Sequence, residues 1–139
     1  MNRATLQQLS MERVADAQAL LAASRWSAAY YLTGYAVECA LKSCVLAYIE
    51  QSGIIFIEKK FLDECWTHDL KLLIGKANLT AIVGLAASAN PRFNMNVEKV
   101  KAWKETSRYQ VWNQMEAEDL FQAVNDPSDG VLTWLKIHW

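Results

Sequence analysis

A chain of 139 residues with 53% hydrophobic composition has the size of one domain and enough apolar residues for a well-buried core. With Lys+Arg 14 against Asp+Glu 15, its net charge of -1 argues against strong non-specific attachment to nucleic acid, though a local basic stripe remains compatible with it. The three cysteines, Cys39, Cys44 and Cys65, are odd in number and do not suggest a disulfide framework.

The first helix is expected from about Thr5 to Ser24, with Leu6, Leu9, Val14, Ala17 and Leu21 tending to one side. The second runs from about Ser27 to Gln51 and stops at Gly53, a natural C-terminal breaker. An apolar connection, IIFIEKKF, follows, and its IIFI run is the one strand candidate, too short to build a sheet. Thr67 is positioned to cap a third helix with Asp69 in its first turn. Further helices are expected at Thr80 to Ala89, Val97 to Ser107 and Met115 to Asn125. Asp126 and Pro127 then read as the cap and first-turn proline of a last short helix ending near Trp139. The fold class is therefore an all-α up-and-down helical bundle with additional short C-terminal helices, one domain over residues 1–139.

Uncharged runs such as Trp26 to Val37 and Ala77 to Pro91 are shorter than the roughly 20 residues that cross a bilayer. The opening MNRATLQQLSMERVAD lacks the apolar region of a signal peptide, so no membrane association and a cytoplasmic location are the expectation.

The second helix carries the sharpest question. Leu32, Ala36, Cys39, Ser43 and Leu46 form one seam, and Tyr30, Gly34, Val37, Leu41, Cys44 and Tyr48 form another, which implies two packed sides. A third stripe holds Tyr31, Tyr35, Glu38, Lys42, Val45 and Ile49. Glu38 and Lys42 stand one turn apart in the favourable order, worth only about 0.3–0.5 kcal/mol on an exposed helix. Two readings are open: a solvated salt bridge, or the floor of a polar groove or subunit contact, which the neighbouring tyrosines favour.

YAVECALKSCV, THDLKLL and WKETSRY, in that order, resemble the HEPN domain, an all-helical bundle, and DPSDGVLTWLKIHW resembles the closing helix of a bacterial branch of it. The resemblance covers most of the chain. It implies a long second helix carrying Glu38 and Lys42, a homodimer, and a likeness to the substrate-binding subunits of small nucleotidyltransferases, so that such an enzyme is an expected partner and a nucleotide or RNA an expected ligand. Association in toxin–antitoxin-like pairs belongs to the same expectation.

Ribonucleases of that family place a histidine four to six residues after an arginine, because a cation stabilises the phosphorane charge while an imidazole moves protons near neutral pH. None of Arg3, Arg13, Arg25, Arg92 and Arg108 has such a histidine, and Asn113, Gln114 and Met115 occupy the relevant places after Arg108. The expectation is a binding protein without the usual ribonuclease motif, with no assigned catalytic residue and no cofactor. The candidate ligand-binding residues are Tyr31, Tyr35, Glu38, Lys42, His68, Arg108 and Tyr109. The alternatives are a ribonuclease toxin with a rearranged Arg108 and His68 site, and a dimeric scaffold without ligand.

Lys101, Lys104 and Arg108 would share one stripe if the helix persisted that far, with Trp103, Tyr109 and Trp112 as nearby stacking candidates; an ordinary solvated face explains the same charges, and burial explains most of the six tryptophans. Cys65 and His68 have a C-x-x-H spacing, but no second pair completes a zinc site and no metal is expected.

Overall fold

The computed structural model describes residues 1–54 and 56–139, and among these the chain is all-α, with eight α-helices, one 3-10 helix and no strand. Of the IIFI run, Ile55 lies outside the described residues.

Local chemistry sets the first two helices. The Asn2 side chain accepts from the Thr5 amide and opens α1 (Arg3–Ala22). Ser24, at a φ of 58°, then reverses the chain: the Arg25 amide donates to the Leu20 carbonyl and the Ser24 amide to the Leu21 carbonyl, so α1 ends before Ser24. The long α2 (Trp26–Ser52) closes on Gly53 in the left-handed conformation, as its sequence predicts. The short connection makes α1 and α2 neighbours in their most extensive helix–helix contact, with Leu6, Ser10 and Ala17 of α1 buried.

Around α2 stand α4 (Leu70–Lys76), the 3-10 helix (Glu105–Tyr109), α7 (Gln114–Asn125) and α8 (Val131–Leu135), so its two seams are covered, and Ala36, Val37, Cys39, Ala40, Leu41 and Cys44 are almost fully buried. Its length and hydropathy would suffice to cross a membrane, yet 67% of its apolar window is buried inside this fold. All three cysteines are free thiols.

Five expectations change in the second half. The connection after α2 contains a helix, α3 (Lys59–Cys65). Asp69, rather than Thr67, caps α4 (Leu70–Lys76), its carboxylate accepting from the Lys71 and Leu72 amides while Thr67 Oγ1 accepts from the Asp69 amide. After α5 (Thr80–Ala89), which matches its predicted bounds, α6 starts earlier than expected and spans Pro91–Lys101. Asn90 caps it and Pro91 supplies the preset φ of a first helical residue.

Helix α6 also stops earlier, because Trp103 turns into the core and is 2% exposed. Burying an indole releases about 4–6 kcal/mol as an upper bound, reduced by about 1–3 kcal/mol because its buried N–H has no hydrogen-bond partner, which still exceeds the roughly 1 kcal/mol net worth of a helical hydrogen bond forgone. Lys104 is extended, and Glu105–Tyr109 forms the 3-10 helix. A capping box between Asn113 and Glu116 then starts α7 (Gln114–Asn125).

The last correction is at Asp126. Its carboxylate accepts from the Ser128 and Asp129 amides in a tight turn, and no helix begins there. The Asp126 carbonyl accepts from the Gly130 amide, and a Cβ at Gly130 would collide with the Asp126 backbone. Only then does α8 (Val131–Leu135) form.

Candidate functional site

The third stripe of α2 is covered rather than solvated. Glu38 is 2% exposed, and Lys42 Nζ donates to its Oε1 at 2.8 Å. A buried carboxylate needs charge and hydrogen-bond donors to compensate its lost hydration, and Lys42 supplies one side of that compensation.

The other side comes from a residue thirty positions away. Asp69 and Thr67 fix the turn into α4, and that turn delivers His68 to Glu38, with Nδ1 at 3.0 Å from Oε1 and 3.1 Å from Oε2. An ionised carboxylate only accepts, so this geometry assigns the imidazole proton to Nδ1. The ring is therefore oriented by its inner nitrogen and presents the outer one, Nε2, away from α2. The THDL segment is thus both a helix start and a source of a positioned imidazole.

Nε2 stands 3.6 Å from Glu105 Oε2, an ion pair whenever the imidazole carries its second proton. The other oxygen of Glu105 forms an ion pair with Arg108 Nη2 at 2.7 Å. Arg108 also lies over the Tyr109 ring, 5.0 Å from its centroid. Hydrogen bonding to Tyr109 foremost, then the Glu105 charge and Tyr31, holds the guanidinium above its already high ordinary pKa despite partial desolvation. Lys42, Glu38, His68, Glu105 and Arg108 consequently form one chain of alternating basic and acidic side chains running from α2 to the 3-10 helix.

Aromatic packing holds that second end. Trp103 lies over Gly34, where a Cβ would run into the indole, and its ring centroid is 5.9 Å from that of Tyr31. Trp112 stacks on Tyr30 with centroids 3.7 Å apart; its amide donates to Ser27 Oγ and its indole Nε1 to the Ser107 carbonyl. Trp103 and Trp112 are thus structural, and of the three proposed stacking residues only Tyr109, 77% exposed, presents its ring to solvent.

The expected single helical stripe of Lys101, Lys104 and Arg108 does not exist, because α6 ends at Lys101. The cations converge differently. A groove of about 520 Å3 is lined by His68, Asp69, Lys71, Lys101, Lys104 and Glu105, with Trp103 also in its wall. Lys42 lines a separate, mostly apolar cleft of about 200 Å3 with Leu46, Ile49, Leu62 and Trp66. Glu38 joins the two from beneath.

Tyr31 and Tyr35 remain stacked along α2, with centroids 6.2 Å apart. The Tyr35 hydroxyl is pushed up by burial first, then by neighbouring Cys39 and Glu38, against the lowering effect of Arg13 on α1. Tyr35 therefore belongs to the α1 side of the stripe. Glu105 was not among the sequence candidates; its spacing of three before Arg108 was the available signal. Among the described residues no group of three His, Cys, Asp or Glu side chains has metal-holding geometry.

This arrangement joins an oriented imidazole and, through Glu105, the Arg108 guanidinium to a groove lined by three lysines and by the Asp69 and Glu105 carboxylates. The cations among them can bind an anion, and the imidazole and guanidinium can in principle move a proton and stabilise developing charge. Compared with protein-family models, curated proteins and solved structures, the chain has no significant match.

Proposed function

We propose that the protein is a cytoplasmic HEPN-like helical bundle that binds a nucleotide or RNA through its phosphate in the groove between α4 and the 3-10 helix. The observation that carries this reading is the convergence of His68 and Arg108 on the two oxygens of one carboxylate beside a lysine-lined groove. Arg108, and His68 Nε2 once the imidazole carries its second proton, can exchange that carboxylate for a phosphate. The homodimer and the nucleotidyltransferase partner come from the resemblance of YAVECALKSCV, THDLKLL and WKETSRY, and complete the proposal.

Titration with uridine nucleotides and short RNA at matched salt tests it. Arg108→Ala should weaken binding by about 1.5–3 kcal/mol, as for loss of a hydrogen bond to a charged group, without unfolding the protein. Equal affinities in two folded proteins, or no binding by either, refute the site. Sedimentation at tens of micromolar tests the dimer, and a monomer alone counts against it.

The Glu38–His68 pair favours a second reading, metal-independent cleavage of RNA with His68 moving the proton and Arg108 facing the phosphate. Cleavage by pure protein in chelator, lost in both His68→Ala and Arg108→Ala, would select it over binding alone.

A further inference from the structure

The cleft beside Lys42 plays no part in phosphate binding. It lies between α2 and α3, and Leu46, Ile49, Leu62, Cys65 and Trp66 give it apolar walls. Among the described residues that line it, Lys42 alone carries a charged side chain. An ammonium has three N–H donors, and Glu38 is the one hydrogen-bond acceptor that Lys42 has among the described residues. The Lys42 side chain is 14% exposed, so bulk water reaches its remaining donors poorly. Nor does Glu38 belong to Lys42 alone, since both of its oxygens also face His68 Nδ1. The Lys42 charge is felt in the cleft wall: burial foremost raises the Cys65 thiol, Lys76 lowers it, Glu64 raises it and Lys42 lowers it. Lys76 and Glu64 pair with each other, and neither lines the cleft.

We infer that this cleft is a second ligand site, taking a small apolar carboxylic acid whose carboxylate pairs with Lys42 and whose hydrocarbon body lies against Leu46, Ile49, Leu62 and Trp66. Apolar walls around one cation with spare donors suit a ligand that is apolar except for a single anionic head. A carboxylate accepts from two of the Lys42 donors at once and adds charge to those hydrogen bonds, which a hydroxyl does not. A cationic head meets the ammonium and is rejected by like charge. Size sets the body: an apolar cavity of about 150 Å3 holds benzene, so about 200 Å3 takes an aliphatic chain of roughly eight carbons, or one phenyl ring on a short chain. The site is separate from the phosphate groove and stands on its own residues; Glu38 is the one side chain that touches both, through Lys42 on one side and His68 on the other.

Calorimetric titration at neutral pH and one ionic strength measures octanoate, 3-phenylpropanoate, 1-octanol and octylamine against wild type and Lys42→Met, with melting curves as the folding control. Wild type should bind octanoate about tenfold more tightly than 1-octanol, the ratio set by one charged hydrogen bond, and octylamine more weakly than either. The tighter of the two acids tells whether the body is a chain or a ring, and either order supports the inference. Lys42→Met should bring octanoate down to the level of 1-octanol and leave 1-octanol unchanged. Octanoate at ten times its Kd should slow iodoacetamide alkylation of native Cys65 about tenfold, because only about one protein in eleven is then unoccupied. Binding of 1-octanol or octylamine as tight as that of octanoate, an unchanged octanoate affinity in folded Lys42→Met, or an unchanged Cys65 rate overturns the inference. So does binding of none of the four probes to wild type at millimolar concentration. The wild-type series and the Cys65 rate decide the matter even where Lys42→Met does not fold, and no result here bears on the phosphate groove.

Discussion

Replacing Glu38 by Gln removes one charge from the point where α2 and the α4 turn are tied together. The carboxylate accepts from Lys42 and from His68, and is 2% exposed. An amide keeps one acceptor oxygen, so Glu38→Gln with that oxygen at the Oε1 position still accepts from Lys42 and His68 but without the charge, and turns its NH2 toward His68 Nδ1 in place of Oε2. Removing one member of a fully buried pair costs about 3–5 kcal/mol. Lys42 keeps 14% side-chain exposure and His68 keeps 45%, so both recover part of their hydration and the expected loss is about 2–3 kcal/mol. Unfolding entropy of about 2.1 cal/mol/K per residue over 139 residues makes this a fall of roughly 7–10 °C in Tm. Thermal unfolding followed by circular dichroism reads it. A double-mutant cycle with Lys42→Met isolates the pair: the double variant should lose less than the sum of the singles, with a coupling of about 1–3 kcal/mol. A Glu38→Gln variant melting within about 2 °C of wild type, or strict additivity in the cycle, refutes the claim that this carboxylate is held by its two partners.

Gly34→Ala should destabilise by about 1–2 kcal/mol despite the roughly 1 kcal/mol helix-propensity gain, because the new Cβ meets the Trp103 indole; a raised Tm would show that Trp103 gives way. Burial pushes the Cys39 thiol up to about 11, with Glu38 adding to it, and the Cys44 thiol up to about 12, whereas Cys65 is raised less and is only partly buried. Iodoacetamide at pH 8 should therefore alkylate native Cys65 first, with Cys39 and Cys44 modified only after denaturation; mass spectrometry showing equal rates contradicts the packing of α2. The Asp129 and Ser128 amides hold the Asp126 carboxyl below its ordinary value, so its contribution is present above about pH 3.9 and is lost as pH falls through the depressed value. The Tm difference between wild type and Asp126→Asn should shrink as pH is lowered below 4, and a constant difference down to pH 2 argues against the charged turn.

Several elements of this molecule are legible from neighbouring residues alone. Gly53 ends α2 because glycine adopts the left-handed conformation without a Cβ penalty, α5 occupies its predicted bounds, and the alternating seams of α2 announce a helix packed on two sides. The all-α class follows from the same short-range patterns, since hydrogen bonds and side-chain faces in a helix involve residues only three or four apart. The spacing of Glu38 and Lys42 likewise announced their ion pair, but left its burial open. Packing decided what short-range pattern could not. Burial of Trp103 over Gly34 ended α6 and dispersed the supposed Lys101–Arg108 stripe; the Asp126 turn replaced a helix start that local residues suggested equally well; and His68 reached Glu38 across thirty positions. Glu105 became the bridge between His68 and Arg108 only when the 3-10 helix was fastened against α2 by Trp112. Propensity acts within a few residues, whereas the partner of a buried charge is chosen by which elements the whole core brings into contact, and that choice is cooperative over the entire chain.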